Sequence, residues 1–236
     1  MNHYLYAIVD RMPAAWRAPT SGLGNASVVP RRVDDVVVLG SLLETVPPPT
    51  PRTLAIHHDI VSTLIEAAAL VPFHYGATVP AVALADWVAG HRAIVSAALG
   101  TVRDCVEMSV KLLRLETVDG PGPRDRRRAE GGVEGTPADT QLQGLADRLV
   151  EQAALSRWRY RPAGTGGNVV ASVAFLVPRA ELTGFLVRIA PVASHANGLA
   201  VVPTGPWPPY SFVPDFERIA RARVSPEPLA ADRRAG

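Results

Sequence analysis

Hydrophobic residues follow two different periods along this 236-residue chain, and the change of period marks the expected elements. The first half opens on an apolar run that is typical of a buried strand. Short β-branched runs follow it, and then two stretches with a helical period. We therefore predict three strands and two helices in the first half, at Tyr4–Val9, Val28–Val29, Val36–Leu39, Pro51–Leu70 and Pro80–Leu99.

The two predicted helices have recognisable ends and apolar faces. Thr50 can cap the first helix and Pro51 suits its first position, while Gly100 is a natural stop for the second. The residues predicted to point inward recur every three or four positions. They are Leu54, Val61, Leu64, Ile65 and Ala68 in the first helix, and Val82, Ala85, Ala89, Ile94 and Ala98 in the second.

In the second half, strands and helices alternate. Apolar and polar residues alternate in Val106–Leu112, which predicts a strand with one solvent-exposed face. Val169–Val177 is nearly all apolar, which predicts a central strand. The other expected elements are a helix at Gln141–Ser156 (Leu142, Leu145, Leu149 and Ala153 inward), a strand at Trp158–Arg161, a hairpin turn at Gly164–Gly167, a helix at Pro178–Ile189 (Leu182, Phe185, Leu186 and Ile189 inward) and a strand at Leu199–Val202. The resulting order, βαββαβ, is ferredoxin-like.

The predicted fold class is therefore α+β, with two domains. The N-terminal domain, residues 1–102, has a small sheet and two helices. The C-terminal domain, residues 103–236, is ferredoxin-like, with a flexible insertion at 117–140 and a short C-terminal tail. The insertion is assigned because it is poor in apolar residues and rich in glycine, proline and arginine.

The charge balance excludes several classes of protein. The chain has 24 basic and 22 acidic residues, and a formal net charge of +2 offers little attraction to nucleic-acid phosphates. Its one cysteine, Cys105, allows neither an intrachain disulfide nor a cysteine-based zinc site. No signal peptide or membrane span is recognised. We expect a cytoplasmic protein with no nucleic-acid or membrane partner.

Candidate groups for chemistry are few. His57 and His58 are adjacent on a predicted helix, where neighbouring side chains diverge by about 100°, so they do not form a chelating pair. The turn Gly164–Gly167 lacks the lysine and the following helix of a phosphate-binding loop. Arg124–Arg128 is interpreted as a solvated loop, with a contact for an acidic partner as the alternative. No catalytic, metal or cofactor residue is predicted.

The segment Gly205–Phe212 has an unusual composition. Pro206, Pro208 and Pro209 fix φ and remove three N–H donors, so we predict that the segment is stiff and does not join a strand ladder. Trp207, Tyr210 and Phe212 carry large apolar side chains on this support. Two interpretations stay open: a proline-braced segment packed across the domain junction, or a preorganised aromatic contact surface.

This eight-residue segment resembles the signature near the C-terminus of the gas vesicle protein GvpF/GvpL family. Four weaker resemblances occur in the family's order. Tyr4–Val9 resembles its opening strand, and His57 resembles the histidine of its first helix. Leu70–Gly76 resembles a Val-Leu-Pro-Phe-Arg-Phe-Gly element, with His74 where arginine is common, and Glu107 resembles the glutamate of a later strand.

The resemblance implies two α+β domains, the second a modified ferredoxin fold, and a role as an accessory or minor structural protein of gas vesicles. It implies partners, the small hydrophobic shell protein and other accessory proteins, and a place in the vesicle wall and the cytoplasm. It implies neither enzymatic activity nor a cofactor. The candidate partner-contact or domain-junction residues are Gly205, Pro206, Trp207, Pro208, Pro209, Tyr210, Phe212, Pro72, Phe73, His74 and Tyr75.

The competing interpretation is an enzyme that uses a cleft between the two domains. His57, His74 or Glu107 would then be the acid–base groups. Convergence of these side chains in one pocket would favour this alternative.

Overall fold

The computed structural model describes residues 1–115, 137–162, 168–194 and 198–216. Most of the predicted insertion, the arginine cluster Arg124–Arg128, the turn Gly164–Gly167 and the tail beyond Phe216 lie outside the described residues. The described elements are β1 (Asn2–Val9), β2 (Val29–Val33), β3 (Val36–Leu43), α1 (Pro51–Ser62), β4 (Leu70–Pro72), β5 (Thr78–Pro80), α2 (Leu84–Gly90), α3 (Arg92–Val102), β6 (Cys105–Arg114), α4 (Pro137–Ala153), β7 (Trp158–Pro162), β8 (Val169–Pro178), α5 (Leu182–Ser194) and β9 (Leu199–Trp207).

The first half is built on an antiparallel sheet in the order β2-β3-β1-β4, with β5 also pairing with β1. The three strands expected here are present. The prediction did not place Pro30–Val33 in a strand, whereas the structure pairs them with β3. Pro30 is tolerated because β2 is an edge strand.

The first helix starts as predicted and ends early. Thr50 Oγ1 accepts the backbone N–H of Thr53, and Pro51 occupies the first turn. The helix ends at Ser62, not near Leu70, and the chain turns tightly before β4. Leu54 was predicted to face inward, but it is 44% exposed.

The second predicted helix is two helices, α2 and α3, that meet at an angle of 72°. At the break, His91 Nδ1 lies 2.7 Å from the Trp87 carbonyl oxygen. Because α2 starts four residues after Pro80, its buried positions are Leu84 and Val88. The inward positions predicted for this stretch, Val82, Ala85 and Ala89, are exposed. Nor does Gly100 stop the helix, since α3 continues to Val102.

The second half has the predicted βαββαβ order, and its sheet runs β7-β8-β6-β9 with all neighbours antiparallel. β8 is a central strand, as its continuous apolar run indicated. α4 and α5 pack on one face of this sheet. Several bounds differ from the prediction. α4 spans Pro137–Ala153, and so begins inside the predicted insertion, α5 spans Leu182–Ser194, and β9 continues to Trp207. Leu186, predicted to face inward, is 37% exposed.

The two halves share a hydrophobic core. Leu99 of α3 belongs to the same cluster of buried side chains as Leu176 of β8 and Phe212. Polar contacts cross the same junction, because the guanidinium of Arg179 donates to the carbonyls of Ile65 and Ala67. The division at residues 102 and 103 into two domains stays a prediction.

No single described helix combines the length and the hydropathy of a membrane span. The bent pair Ala81–Gly90 and Arg92–Val102 passes that test only when its two arms are taken together, by length and composition.

Candidate functional site

The proline-rich segment starts inside the sheet, contrary to the prediction that it stays outside the ladder. Thr204 pairs with Ser109 and Trp207 pairs with Glu107, with a bulge between the two pairs. Gly205 and Pro206 occupy the bulge, where a residue without an N–H loses no ladder bond. Gly205 has a φ of +124°, and a Cβ there would lie 2.9 Å from the Glu107 carbonyl oxygen.

The segment has a buried part and an exposed part. Pro208, Pro209 and Phe212 are buried, and Phe212 belongs to the core shared by the two halves. Gly205 and Pro206 are exposed, and Trp207 is 39% exposed. Phe212 thus packs where the two halves meet, whereas a contact surface at Trp207 stays a prediction.

Glu107 anchors the segment from the neighbouring strand. The residue is only 8% exposed. Its Oε2 accepts the Ser211 backbone N–H at 2.8 Å, and its Oε1 accepts the Ser211 hydroxyl at 2.6 Å. Burial, and then the charge of Glu107, raise the pKa of the nearby Tyr210 phenol. Tyr210 is therefore a neutral, half-buried ring at physiological pH.

The second predicted motif meets this segment at Tyr210. Pro72 and Phe73 are buried, Tyr75 is half-buried, and His74 is exposed with its ring 5.5 Å from the Tyr210 ring. His74 and Tyr210 are 136 residues apart in sequence, and the fold brings the two stretches side by side.

Sequence reasoning missed a third contributor, His58 of α1. Its ring lies 5.5 Å from that of Trp207 and 6.4 Å from that of Tyr210. We name the four residues Trp207, Tyr210, His58 and His74 the ring patch. His58 is half-buried, and Leu54, one turn before it on the same side of α1, is exposed. A Leu-x-x-x-His pair on a helix was visible in the sequence, but its outward direction was not.

Beneath the ring patch, His57 holds three segments together. Its Nε2–H donates to the Phe73 carbonyl at 3.0 Å, so its Nδ1 accepts the Tyr4 hydroxyl at 2.7 Å. Tyr4 in turn accepts the Gly76 N–H at 3.2 Å. Burial lowers the pKa of His57 to about 4, an effect that the bond to Phe73 only partly offsets.

The three acid–base candidates do not form a catalytic arrangement in the described structure. Both ring nitrogens of His57 and both carboxylate oxygens of Glu107 are engaged in structural hydrogen bonds, and His74 is exposed beside the Tyr210 ring. A groove of about 560 Å³ is lined instead by α3, Arg159 and residues 211–214. Within the described ranges, no three His, Cys, Asp or Glu side chains are grouped so as to hold a metal ion.

Comparison with known protein families decides the identity. The family model described as "Gas vesicle synthesis protein GvpL/GvpF" matches residues 2–214. The chain belongs to the GvpL/GvpF family. This confirms the resemblance inferred from the Gly205–Phe212 segment.

Individual GvpF and GvpL proteins are also similar to this chain. Gas vesicle protein F of Streptomyces sp. (strain CB03234) is 26% identical over 241 residues, which cover 90% of this chain and all of that protein. Gas vesicle protein L2 of Halobacterium salinarum is 25% identical over 92 residues, which cover 39% of this chain and 33% of that protein.

Two solved GvpF structures have the same mixed α+β fold with two antiparallel sheets. GvpF of Microcystis aeruginosa has a TM-score of 0.67 at 15% identity and covers 89% of this chain and 98% of its own. GvpF of Anabaena sp. PCC7120 has a TM-score of 0.71 at 16% identity and covers 89% of this chain and 95% of its own. These likenesses establish the fold, and the family match establishes a role connected with gas vesicles.

Proposed function

We propose that this protein is an accessory or minor structural protein that takes part in gas vesicle assembly by binding the small hydrophobic shell protein and other accessory proteins. Membership of the GvpL/GvpF family carries this proposal. The protein would bind shell subunits before or during assembly and mask their apolar surface. We propose that it acts in the cytoplasm and at the vesicle wall, and that the C-terminal half is a ferredoxin-like domain.

The ring patch is the surface we assign to shell-protein contact. Trp207 exposes part of a large apolar ring at the end of a strand, and buried Pro208 and Pro209 hold the chain directly after it. A ring held on a rigid support loses little entropy when it binds. Tyr210 and the two histidine rings widen the surface, and Phe212 and Phe73 fix it to the core.

We propose that this role is not enzymatic. Two of the three candidate acid–base groups are committed to structural hydrogen bonds, His57 to Phe73 and Tyr4, and Glu107 to Ser211, and the third, His74, is exposed beside the Tyr210 ring. No observation on the described residues favours the competing enzyme hypothesis enough to keep it as a second candidate function.

Co-purification with the small shell protein tests the proposal. Trp207→Ala should weaken binding about tenfold or more, because truncating an aromatic anchor commonly costs over 1 kcal/mol. Trp158→Ala is the matched control, since Trp158 is 40% exposed, close to the 39% of Trp207, but lies on β7. The melting temperature of each variant should stay within a few degrees of the native value.

Absence of binding by the native protein would disprove the shell-protein role. Equal losses in the two tryptophan variants would place the contact somewhere other than the ring patch. Fractionation of purified gas vesicles, followed by detection of this chain, separates residence in the wall from action during assembly alone.

A further inference from the structure

The sheet of the second half has one face that the helices do not cover. Met108, Val110 and Leu112 of β6 pack toward α4 and α5, so the alternate residues Ser109 and Lys111 point to the opposite face. The register then sets Arg161, Ser172, Lys111 and Val202 in one row across the four strands. Directly opposed residues lie on the same face of a sheet.

Only one end of this second face is covered by the rest of the described chain. There, Leu176 joins the core with Phe212, and Glu107 binds Ser211. Arg159 stands at the boundary of the covered part, opposite the core residue Ala174 and over the Phe212 ring, and it is exposed. At the other end, Lys111 and Arg161 are exposed, and Ser172 between them is small. We name the three cationic side chains Lys111, Arg159 and Arg161 the basic sheet face.

The charge of this face is not balanced within the sheet. The strands β6 to β9 carry four cations, Lys111, Arg114, Arg159 and Arg161, and one carboxylate, Glu107. Both oxygens of Glu107 are already occupied by Ser211. The ion pairs among the described residues are Arg92–Asp35, Arg103–Asp10 and Arg188–Glu181, and none of them uses the basic sheet face.

We propose that the basic sheet face binds a carboxylate-rich segment of a protein partner. Arg159 and Arg161 stand about 7 Å apart along β7, and Lys111 lies about 10 Å away across β8, which suits several carboxylates on one peptide. Arginine guanidinium groups pair bidentately with carboxylates. Trp158 and Tyr160 alternate with the two arginines and so point to the other face, which disfavours a nucleic acid that stacks its bases.

This inference adds a second surface and does not depend on the ring patch. Its occupant is acidic, whereas the occupant proposed for the ring patch is apolar. The arginines have an alternative explanation, because β7 is an edge strand and charged side chains on an edge prevent two sheets from pairing edge to edge. That role requires no ligand. The experiment must therefore separate a binding face from edge protection.

Carbodiimide crosslinking provides a sharp test, because Lys111 is the only lysine of the chain. The reagent converts a carboxylate of an N-acetylated deca-glutamate peptide into an O-acylisourea. The Lys111 amine attacks the activated carbonyl, which forms an amide and releases the urea. The amine of Met1 is the internal reference for chance encounters. We expect peptide mapping to find the crosslink on Lys111 in large excess over Met1, with a yield that falls as salt is added.

Arg159→Gln with Arg161→Gln should lower the yield at Lys111 about tenfold, although Lys111 itself is unchanged. Arg31→Gln with Arg32→Gln, on the edge strand β2, removes the same charge elsewhere and should leave the yield unchanged. Since Arg159 lies over the Phe212 ring at 5.8 Å, Arg161→Gln alone serves as a variant that spares this contact, and it should lower the yield severalfold.

Equal labelling of Lys111 and Met1, or equal losses in the two arginine pairs, would overturn the proposal and leave edge protection as the role of β7. A ten-nucleotide oligothymidine and free deca-glutamate are compared as competitors of the peptide. If the oligothymidine displaces the peptide at the lower concentration, the proposal is overturned in favour of a nucleic-acid surface.

Discussion

At the scale of single residues, His57 illustrates a polar group whose role is structural because every hydrogen-bonding atom is used. It is 4% exposed and joins β1, through Tyr4, to the turn after β4, through Phe73. The neutral ring satisfies both contacts, since one nitrogen donates and the other accepts. A protonated ring would place a second N–H against the Tyr4 hydroxyl and a charge in the core.

The stability of the protein should therefore depend on the protonation of His57. The folded-state pKa of His57 is about 4, below the unfolded value of about 6.5. Between these values the unfolded state binds the extra proton, so stability is complete above pH 6.5 and falls as the pH drops toward 4. The contribution lost is up to about 3 kcal/mol.

Denaturant unfolding of the native protein and of His57→Gln across pH 7.5 to 4 measures this loss. The variant should be less stable at pH 7.5, and the gap between the two curves should narrow as the pH falls. Parallel curves would mean that His57 does not carry the pH dependence. Taking the difference between the two proteins cancels the titration of the other groups.

Glu107 is the second residue whose role is set by its partners. Glu107→Ala leaves the Ser211 N–H and hydroxyl without their buried acceptor, so we expect a loss of about 3 kcal/mol in the free energy of unfolding. Glu107→Gln keeps one carbonyl oxygen and should lose about half as much. Ser211→Ala removes only the hydroxyl bond and should cost about 1 kcal/mol. Equal losses in the two Glu107 variants would argue against the two-bond anchor.

At the scale of elements, local patterns predicted which elements occur more reliably than where they end. The alternation at Val106–Leu112 and the apolar run at Val169–Val177 identified β6 and β8 because a strand's period is read within a few residues. The break between α2 and α3 was missed because Gly90, the last residue of α2, permits a helix end without imposing one, and the bend depends on how both helices pack. The Gly100 stop failed because a glycine permits a C-terminal cap but does not impose one.

In the candidate site, too, local sequence patterns were recognised and contacts that depend on the folded chain were missed. The segment Gly205–Phe212 was visible because prolines and aromatics cluster locally, but its entry into the sheet was not. The bulge at Gly205 and Pro206 explains how a proline-rich segment can enter the sheet, because it takes Pro206, which has no N–H, out of the paired positions. Contacts between distant residues, such as His58 with Trp207, arise only when the chain folds.

The bulge itself is testable through Gly205. In Gly205→Ala, the new Cβ would sit 2.9 Å from both the Glu107 carbonyl oxygen and Met108 Sδ, at a φ of +124°. We expect a loss of about 3 kcal/mol or more in the free energy of unfolding. Gly198→Ala is the matched control, because Gly198 also has a positive φ, +72°, but nothing lies within 4 Å of its added Cβ. It should cost about 1 kcal/mol, and equal costs would argue against a steric requirement at the bulge.

At the scale of the whole molecule, the recognised segment also links the two halves of the fold. Phe212 lies in one cluster with Leu5 and Leu99 of the first half and with Leu176 of the second. Arg157 adds a bond from its guanidinium to the Thr101 carbonyl across the same junction. The surface that we propose for shell-protein contact at Trp207 is thus attached directly to the core that the halves share.

This coupling predicts that Phe212→Ala weakens both halves at once. Removing a buried phenylalanine costs about 3 kcal/mol or more, so amide protection in β1 and in β8 should fall together, by about a hundredfold. Phe185→Ala is the control, because Phe185 is fully buried but belongs to the cluster beneath α4 and α5 alone. Its effect should be concentrated in β6, β8 and the two helices. Hydrogen exchange with mass spectrometry distinguishes the patterns, and a Phe212→Ala protein that loses protection in one half only would contradict a shared core.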